Sequence, residues 1–181
     1  PQAVSLGGWP APFGIVFAAD LLSAAMVWVT WLMGMGIAVY ASADLRLSPS
    51  YARYHLMIQF LLAGVSGAFL TGDLFNLYVW FEVMLIASFG LMVIDAGRIR
   101  IDGSMKYVLL NLVSTLTFLL AIALVYGATG MLNMADLHLK TGTLPPGLTH
   151  LVTGLFLFSF SIKSGLFPVF AWLPASYHTL P

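Results

Sequence analysis

Long apolar runs alternate with short polar breaks along the whole chain. A helix needs about 20 mostly apolar residues to cross the hydrocarbon core of a bilayer, and five runs are long enough or nearly so. The predicted spans cover about residues 18–40, 54–71, 73–94, 105–126 and 148–173. Glycine, proline, serine and aspartate fill the breaks, as turns require. The pattern predicts an all-α fold, a polytopic bundle of transmembrane helices.

Composition supports a membrane protein and removes several functional classes. Of the 181 residues, 60% are hydrophobic and 8% are charged, and the mean hydropathy is +0.96. These values lie well outside the range of soluble domains. The net charge is zero, which gives no reason to expect a nucleic-acid partner. Without cysteine the chain holds no thiolate metal site or iron–sulfur cluster. We therefore expect no cofactor and no metal site, and any redox chemistry would occur in another subunit.

The two ends of the sequence indicate a piece of a longer polypeptide. The first residues, PQAVSLGGWPAPFG, lack the basic and apolar regions of a signal peptide and predict a loop. The chain has no initiator methionine and stops just after a helix-like run. We expect residues 1–181 to form a single transmembrane segment of that longer chain.

Basic residues are distributed unevenly between the two sides of the predicted bundle. One side carries Arg46, Arg53, Arg98, Arg100 and Lys106, whereas the other carries Lys140. The positive-inside rule makes loops 41–53 and 95–105 cytoplasmic. The third and fifth spans then run from outside to inside.

Lys163 lies within the strongly apolar fifth run. A cation there costs roughly 2.5 to 3.5 kcal/mol on insertion scales. Gly165, Pro168 and Pro174 follow it and predict a discontinuous helix from about Lys163 to Pro174. A broken helix and a charge together indicate a hydrated cavity at membrane depth, where the lysine could bind and release a proton. The alternative is a lysine that only ties down the broken helix.

Glu82 lies in the third run, nine residues after the predicted N-cap Asp73. At 1.5 Å per residue this places it roughly 13 to 14 Å into the core, close to the bilayer midplane. The alternatives to a function are a structural ion pair or a hydrogen-bonded carboxylic acid. Glu82 and Lys163 are 81 residues apart, which permits contact without requiring it. If they pair, a proton arriving at one would weaken the pair and free the other, as in an electrostatic relay.

Other polar residues could extend a proton path. The possible hydration path consists of Asn111, Ser114, Thr115, Ser159 and Ser161. Such side chains equally often join neighbouring helices or bond to the backbone. His150 is a possible proton entry or exit group at the outer mouth of the fifth span. The other histidines, which include His178, lie near span ends, where an interfacial histidine is the simpler interpretation.

Two aspartates and one short polar segment have structural predictions. Asp20 and Asp73 are expected to cap helices. Met131, Ala135 and Leu139 recur at four-residue spacing and predict a short amphipathic surface helix.

Three blocks of sequence resemble the D subunit of Mrp-type multisubunit cation/proton antiporters. They are GGWPAPFGI (residues 7–15, with Asp20 after it), GDLFNLYVWFEVMLIASFGLMV (72–93) and IKSGLFPVFAWLP (162–174). The blocks occur in the family's order. The same superfamily includes antiporter-like subunits of respiratory complex I and of membrane-bound hydrogenases.

The resemblance implies roles for both buried charges. Glu82 corresponds to the key glutamate of the family's fifth helix, and Lys163 to the lysine of its discontinuous seventh helix. The chain would represent helices three to seven of a longer protein, so the later relay residues have no counterpart in it. The resemblance also implies a hetero-oligomer in a prokaryotic cell membrane that exchanges sodium or another monovalent cation for protons.

Two other functions compete with an antiporter component. The chain could belong to a complex I-like oxidoreductase linked to NADH and quinone or to ferredoxin, in which electron transfer drives the same proton movements. It could also be a scaffold that only packs its partners. Removing either charge from a scaffold would alter assembly and leave transport intact.

Overall fold

The computed structural model describes residues 2–45 and 48–177. Arg46 of the first predicted cytoplasmic loop and His178 lie outside these described residues. Within them the chain forms seven α-helices and a small two-stranded antiparallel sheet. The elements are β1 (Gln2–Ser5), β2 (Val16–Ala19), α1 (Leu21–Asp44), α2 (Tyr51–Leu70), α3 (Leu74–Val93), α4 (Arg98–Thr129), α5 (Met134–Lys140), α6 (Pro146–Ser164) and α7 (Trp172–Tyr177). The predicted helical class is confirmed.

In the described part of the chain, the helices α1, α3 and α4 are long and apolar enough to cross a membrane by length and composition. The other two predicted spans correspond to α2, with 20 residues, and α6, with 19. Their assignment as spans stays a prediction.

The helices pack mainly as neighbours in the chain. α1 lies on α2, α2 on α3, and α3 on α4, whereas α4 also packs against α6 and α7. The most buried apolar side chains therefore lie on α4, where Phe118 and Ala121 have no exposed surface. Large apolar side chains on α1 remain exposed, such as Trp28 at 76%. This distribution places the core between α3, α4 and α6.

Glycine allows α2 and α3 to approach closely. A Cβ atom built on Gly67 would clash with the ring of Trp80, and one on Gly64 would lie 2.7 Å from Met84. No side chain fits at either position without moving its neighbour. The indole N–H of Trp80 in turn donates to Asn76 Oδ1 at 2.7 Å, which fixes the ring.

Aspartate side chains begin two of the helices, as predicted. Asp20 and Ser23 form a capping box at the start of α1, with reciprocal backbone-to-side-chain bonds of 2.7 and 2.8 Å. The hydrogen bond from the Ser23 backbone, followed by that from its hydroxyl, lowers the pKa of Asp20. Asp73 Oδ1 accepts from the backbone N–H of Asn76 at 2.8 Å and caps α3.

Two predicted loops are partly regular structure. The first residues, predicted as a loop, include a β-hairpin in which Gln2 pairs with Ala19 and Ser5 with Val16. The prediction of a loop over residues 95–105 is also partly wrong, because α4 begins at Arg98. Its turn-forming residues are accommodated in the helix: Gly103 is buried, and Lys106 pairs with Asp102 at 2.6 Å across one turn.

The predicted short helix is present as α5, but the predicted apolar stripe is wrong, because Met131 precedes the helix and Ala135 is exposed. Leu137 is buried against the bundle, whereas Leu139 is 79% exposed. Asn133 caps this helix through bonds from the N–H groups of Ala135 and Asp136.

Candidate functional site

The fifth apolar run breaks immediately after Lys163, as predicted. α6 ends at Ser164, and the chain turns through Gly165 at φ 65°. The N–H of Leu166 donates to the Ser161 carbonyl at 2.9 Å, and that of Gly165 to the Ile162 carbonyl at 3.1 Å. This is the Schellman arrangement, in which glycine supplies the left-handed residue. The helix resumes as α7 at Trp172.

Tertiary packing closes the broken end. The buried indole of Trp172 donates its Nε1–H to the Ile162 carbonyl at 2.8 Å. The Trp172 ring also lies at 5.3 Å from that of Tyr107 on α4, edge to face. The sequence indicated a break with free carbonyls; the structure supplies this side-chain donor, which sequence reasoning missed.

Lys163 is half-buried and lies over an aromatic ring. Its Nζ atom is 4.6 Å from the centroid of Phe81 on α3. An ammonium group at this distance from a ring face is attracted by the ring quadrupole. Phe81 immediately precedes Glu82, so one turn of α3 presents both a ring and a carboxylate to the α6 lysine.

Glu82 and Lys163 are neighbours without an ion pair. The salt bridges among the described residues join Arg53 to Asp95 and Lys106 to Asp102. The carboxylate of Glu82 nevertheless attracts the Lys163 ammonium through space. The structure therefore brings the two predicted charges into one electrostatic environment without joining them in a salt bridge.

One oxygen of Glu82 is buried and lacks a partner. Oε1 has almost no exposed surface and makes no hydrogen bond. Leaving a buried acceptor unsatisfied costs about 1 to 3 kcal/mol, so such an atom calls for an explanation.

The predicted hydration-path residues make hydrogen bonds within the protein. Ser114 on α4 and Ser159 on α6 are fully buried, and each hydroxyl donates to the other's carbonyl, at 2.8 and 2.9 Å. Asn111 and Thr115 bond to carbonyls of their own helix, at 2.9 and 3.1 Å. Ser161 is half-buried beside the break. This geometry favours helix joining for the serine pair, and the hydration path stays a prediction.

His150 is not brought near the charges. It is exposed in the first turns of α6, thirteen residues before Lys163. At the helical rise this separation is about 20 Å. Its part in proton entry or exit stays a prediction.

Four phenylalanines form a cluster beside Lys163. Phe118 of α4 contacts Phe81 at 5.5 Å, Phe156 at 5.2 Å and Phe160 at 5.4 Å between ring centroids. Phe156 also lines a cavity of about 390 Å³ near the starts of α3 and α6. Sequence reasoning missed this cluster, although Phe156, Phe160 and Lys163 share one helical face by their spacing.

Metal chemistry has no support in this region. Among the residues that the structure describes, no three histidine, aspartate or glutamate side chains converge as metal ligands.

The comparisons with known proteins agree with these features. The model of the family described as NADH:quinone oxidoreductase/Mrp antiporter, TM, matches residues 71–181. The D subunit of the Na⁺/H⁺ antiporter of Bacillus subtilis (strain 168) is 44% identical over 181 residues, which are 99% of this chain and 37% of that protein. The chain thus spans about a third of the length of this curated relative.

Two solved structures are similar throughout the chain. The Mrp complex from Dietzia sp. DQ12-45-1b matches with a TM-score of 0.84 at 33% identity, over 98% of this chain and 33% of that one. The membrane-bound sulfane sulfur reductase, an archaeal respiratory membrane complex, matches with a TM-score of 0.89 at 30% identity, over 98% and 36%. The family model covers more than half of this chain, and the chain therefore belongs to the NADH:quinone oxidoreductase/Mrp antiporter transmembrane family.

Proposed function

We propose that this chain is part of a proton-translocating subunit of a multisubunit monovalent cation/proton antiporter, with sodium as the exchanged cation. Glu82 and Lys163 form its proton relay. The observation that carries the proposal is the Lys163 ammonium lying 4.6 Å from the ring centroid of Phe81, the residue before Glu82 on α3, whose Oε1 is buried without a hydrogen-bond partner. The antiporter named for the Bacillus subtilis relative supports the same assignment.

The relay follows from the mutual attraction of the two charges. While Glu82 is ionised it favours the protonated lysine, because opposite charges stabilise each other at low dielectric. A proton that reaches Oε1 removes this attraction and makes the lysine a better donor. The two groups therefore titrate as a coupled pair, and a proton entering at one is released from the other.

The placement in the membrane belongs to the same proposal. The five predicted runs are taken as spans that correspond to helices three to seven of the family, with the α1–α2 and α3–α4 connections on the cytoplasmic side. His150 then lies at the outer mouth. Other membrane subunits complete the complex, and the bilayer is that of a prokaryotic cell.

The test is cation-dependent dissipation of a pH gradient in everted vesicles that contain the full complex. Glu82→Gln and Lys163→Ala should each abolish antiport while assembly stays intact. The matched controls are Asp102→Asn and Lys106→Ala, which change an exposed carboxylate and an exposed lysine on α4. Normal antiport from both site variants in assembled complexes would refute the relay.

A redox-driven proton pump is the second candidate. The similarity to a respiratory membrane complex favours it, and the proposed chemistry of Glu82 and Lys163 would be the same. In that case proton movement would require electron transfer in partner subunits and would not depend on sodium. An antiporter transports without redox substrates, as a secondary transporter and not an enzyme. A pure scaffold would retain transport in both charge variants.

A further inference from the structure

The ring of Phe81 occupies the place where a partner anion of Lys163 would be expected. The ammonium lies 4.6 Å from the ring centroid, within the approximately 6 Å over which a cation binds an aromatic face. No salt bridge within 4.0 Å joins Lys163 to Glu82. The ammonium is therefore docked on a neutral ring and forms no salt bridge with the carboxylate of the next residue on α3.

The ring is held in position from two sides. Phe118 meets it edge to face with the planes at 63°, and Phe160 does so at 80°. Phe118 is fully buried, so its own ring has little freedom to move. Phe81 thus presents a fixed face to the flexible end of the lysine side chain.

We propose that Phe81 is a positioning residue of the relay, whose ring face holds the protonated Lys163 away from Glu82 between proton transfers. This inference rests on the proposed function. Because the ring cannot accept a proton, an ammonium group docked on it keeps its proton until it moves. Glu82, the next residue on α3, offers the competing position.

The other titratable groups near the pair do not replace Phe81. From α3, Tyr78 interacts with Glu82. From α4, Tyr107 has the Ser88 side chain as its partner. Glu82 is the charged group that acts on Lys163. The position of the ammonium is thus determined by the ring and by one carboxylate.

Fluorination of the ring tests the proposal at constant shape. Phenylalanine with one, two or three ring fluorines is introduced at position 81 of the full complex, and antiport is measured against pH in everted vesicles. Each fluorine weakens the attraction of the ring face for a cation. We expect a stepwise loss of antiport, about two- to tenfold in total, and a shift of the alkaline limb to lower pH by up to about one unit. The shift has this sign because a weaker ring favours the protonated lysine less.

The matched control is the same series at Phe118, which contacts Phe81 and not the lysine ammonium. Phe81→Tyr, which keeps a ring face, should retain activity, whereas Phe81→Leu should not. The proposal would be overturned if antiport did not change along the fluorine series at position 81, or if it fell equally along the series at position 118. If Phe81→Leu fails to assemble, the fluorine series decides the question.

The two proposals fail in different ways. Retained antiport in Lys163→Ala removes the relay and the role of Phe81 with it. If Lys163→Ala lacks antiport but ring fluorination at position 81 leaves antiport unchanged, only the proposed role of Phe81 is refuted.

Discussion

Trp172 and Ile162 are joined across the helix break by a hydrogen bond of 2.8 Å from the indole to the carbonyl. Ile162 immediately precedes Lys163, so the bond ties the residue next to the lysine to the following helix segment. The break is therefore a closed structure in which α7 completes the end of α6.

Trp172→Phe should weaken this closure while keeping an aromatic ring against Tyr107. The Ile162 carbonyl keeps the Gly165 N–H as a donor, so the loss is that of one net hydrogen bond, about 0.5 to 1.5 kcal/mol. We expect a lower unfolding temperature of the purified complex, measured by the loss of its size-exclusion peak after heating. Trp28→Phe, on an exposed face of α1, is the control and should leave that temperature unchanged.

Gly165→Ala should destabilise the break more strongly. The residue has φ 65°, and an added Cβ would clash with Leu173 Cδ1. The left-handed conformation alone costs an L-residue about 1 to 2 kcal/mol. The same heating experiment measures the effect. Gly154→Ala on α6, where nothing lies within 4 Å, should be neutral or stabilising, and equal behaviour of the two variants would contradict this explanation.

Ser114→Ala and Ser159→Ala separate helix joining from water conduction. Because each hydroxyl donates to the partner's backbone, we expect each variant to lower stability by about 1 kcal/mol and the double variant to be non-additive. Antiport per assembled complex should be retained. A loss of antiport at unchanged stability would instead favour the hydration path. Thr117→Ala, whose hydroxyl bonds to its own helix, is the control.

Asp20→Ala should loosen the start of α1 in a pH-dependent way. The lowered pKa of Asp20 means that its cap stabilises the fold above the ordinary carboxyl pKa of 3.8 and loses this effect as the pH falls through the folded value. The stability difference from wild type should thus be present at neutral pH and disappear in acid. Asp20→Asn keeps a capping oxygen but cannot titrate, so its stability should lie closer to wild type at neutral pH, and the remaining difference should also shrink in acid as the wild-type carboxylate is protonated.

Local chemistry explains why several elements could be predicted from sequence. Proline and glycine after Lys163 dictate a break, and an aspartate before an apolar run caps a helix, because both effects act over a few residues. The start of α4 was not predicted because packing around Gly103 overrides its weak helix preference. The ring of Phe81 contacts Lys163 from a distant part of the chain, and the indole N–H of Trp172 donates to the Ile162 carbonyl across the helix break. Both contacts follow from tertiary packing.

The contact between Gly67 and Trp80 has a mechanical consequence. Because the indole lies directly on the backbone of α2, with no side chain between them, α2 and α3 cannot slide past each other without a steric clash. The helix that carries Phe81 and Glu82 is thus fixed in position relative to α2. The proposed relay then requires rotation of single side chains, above all the four-carbon stem of Lys163.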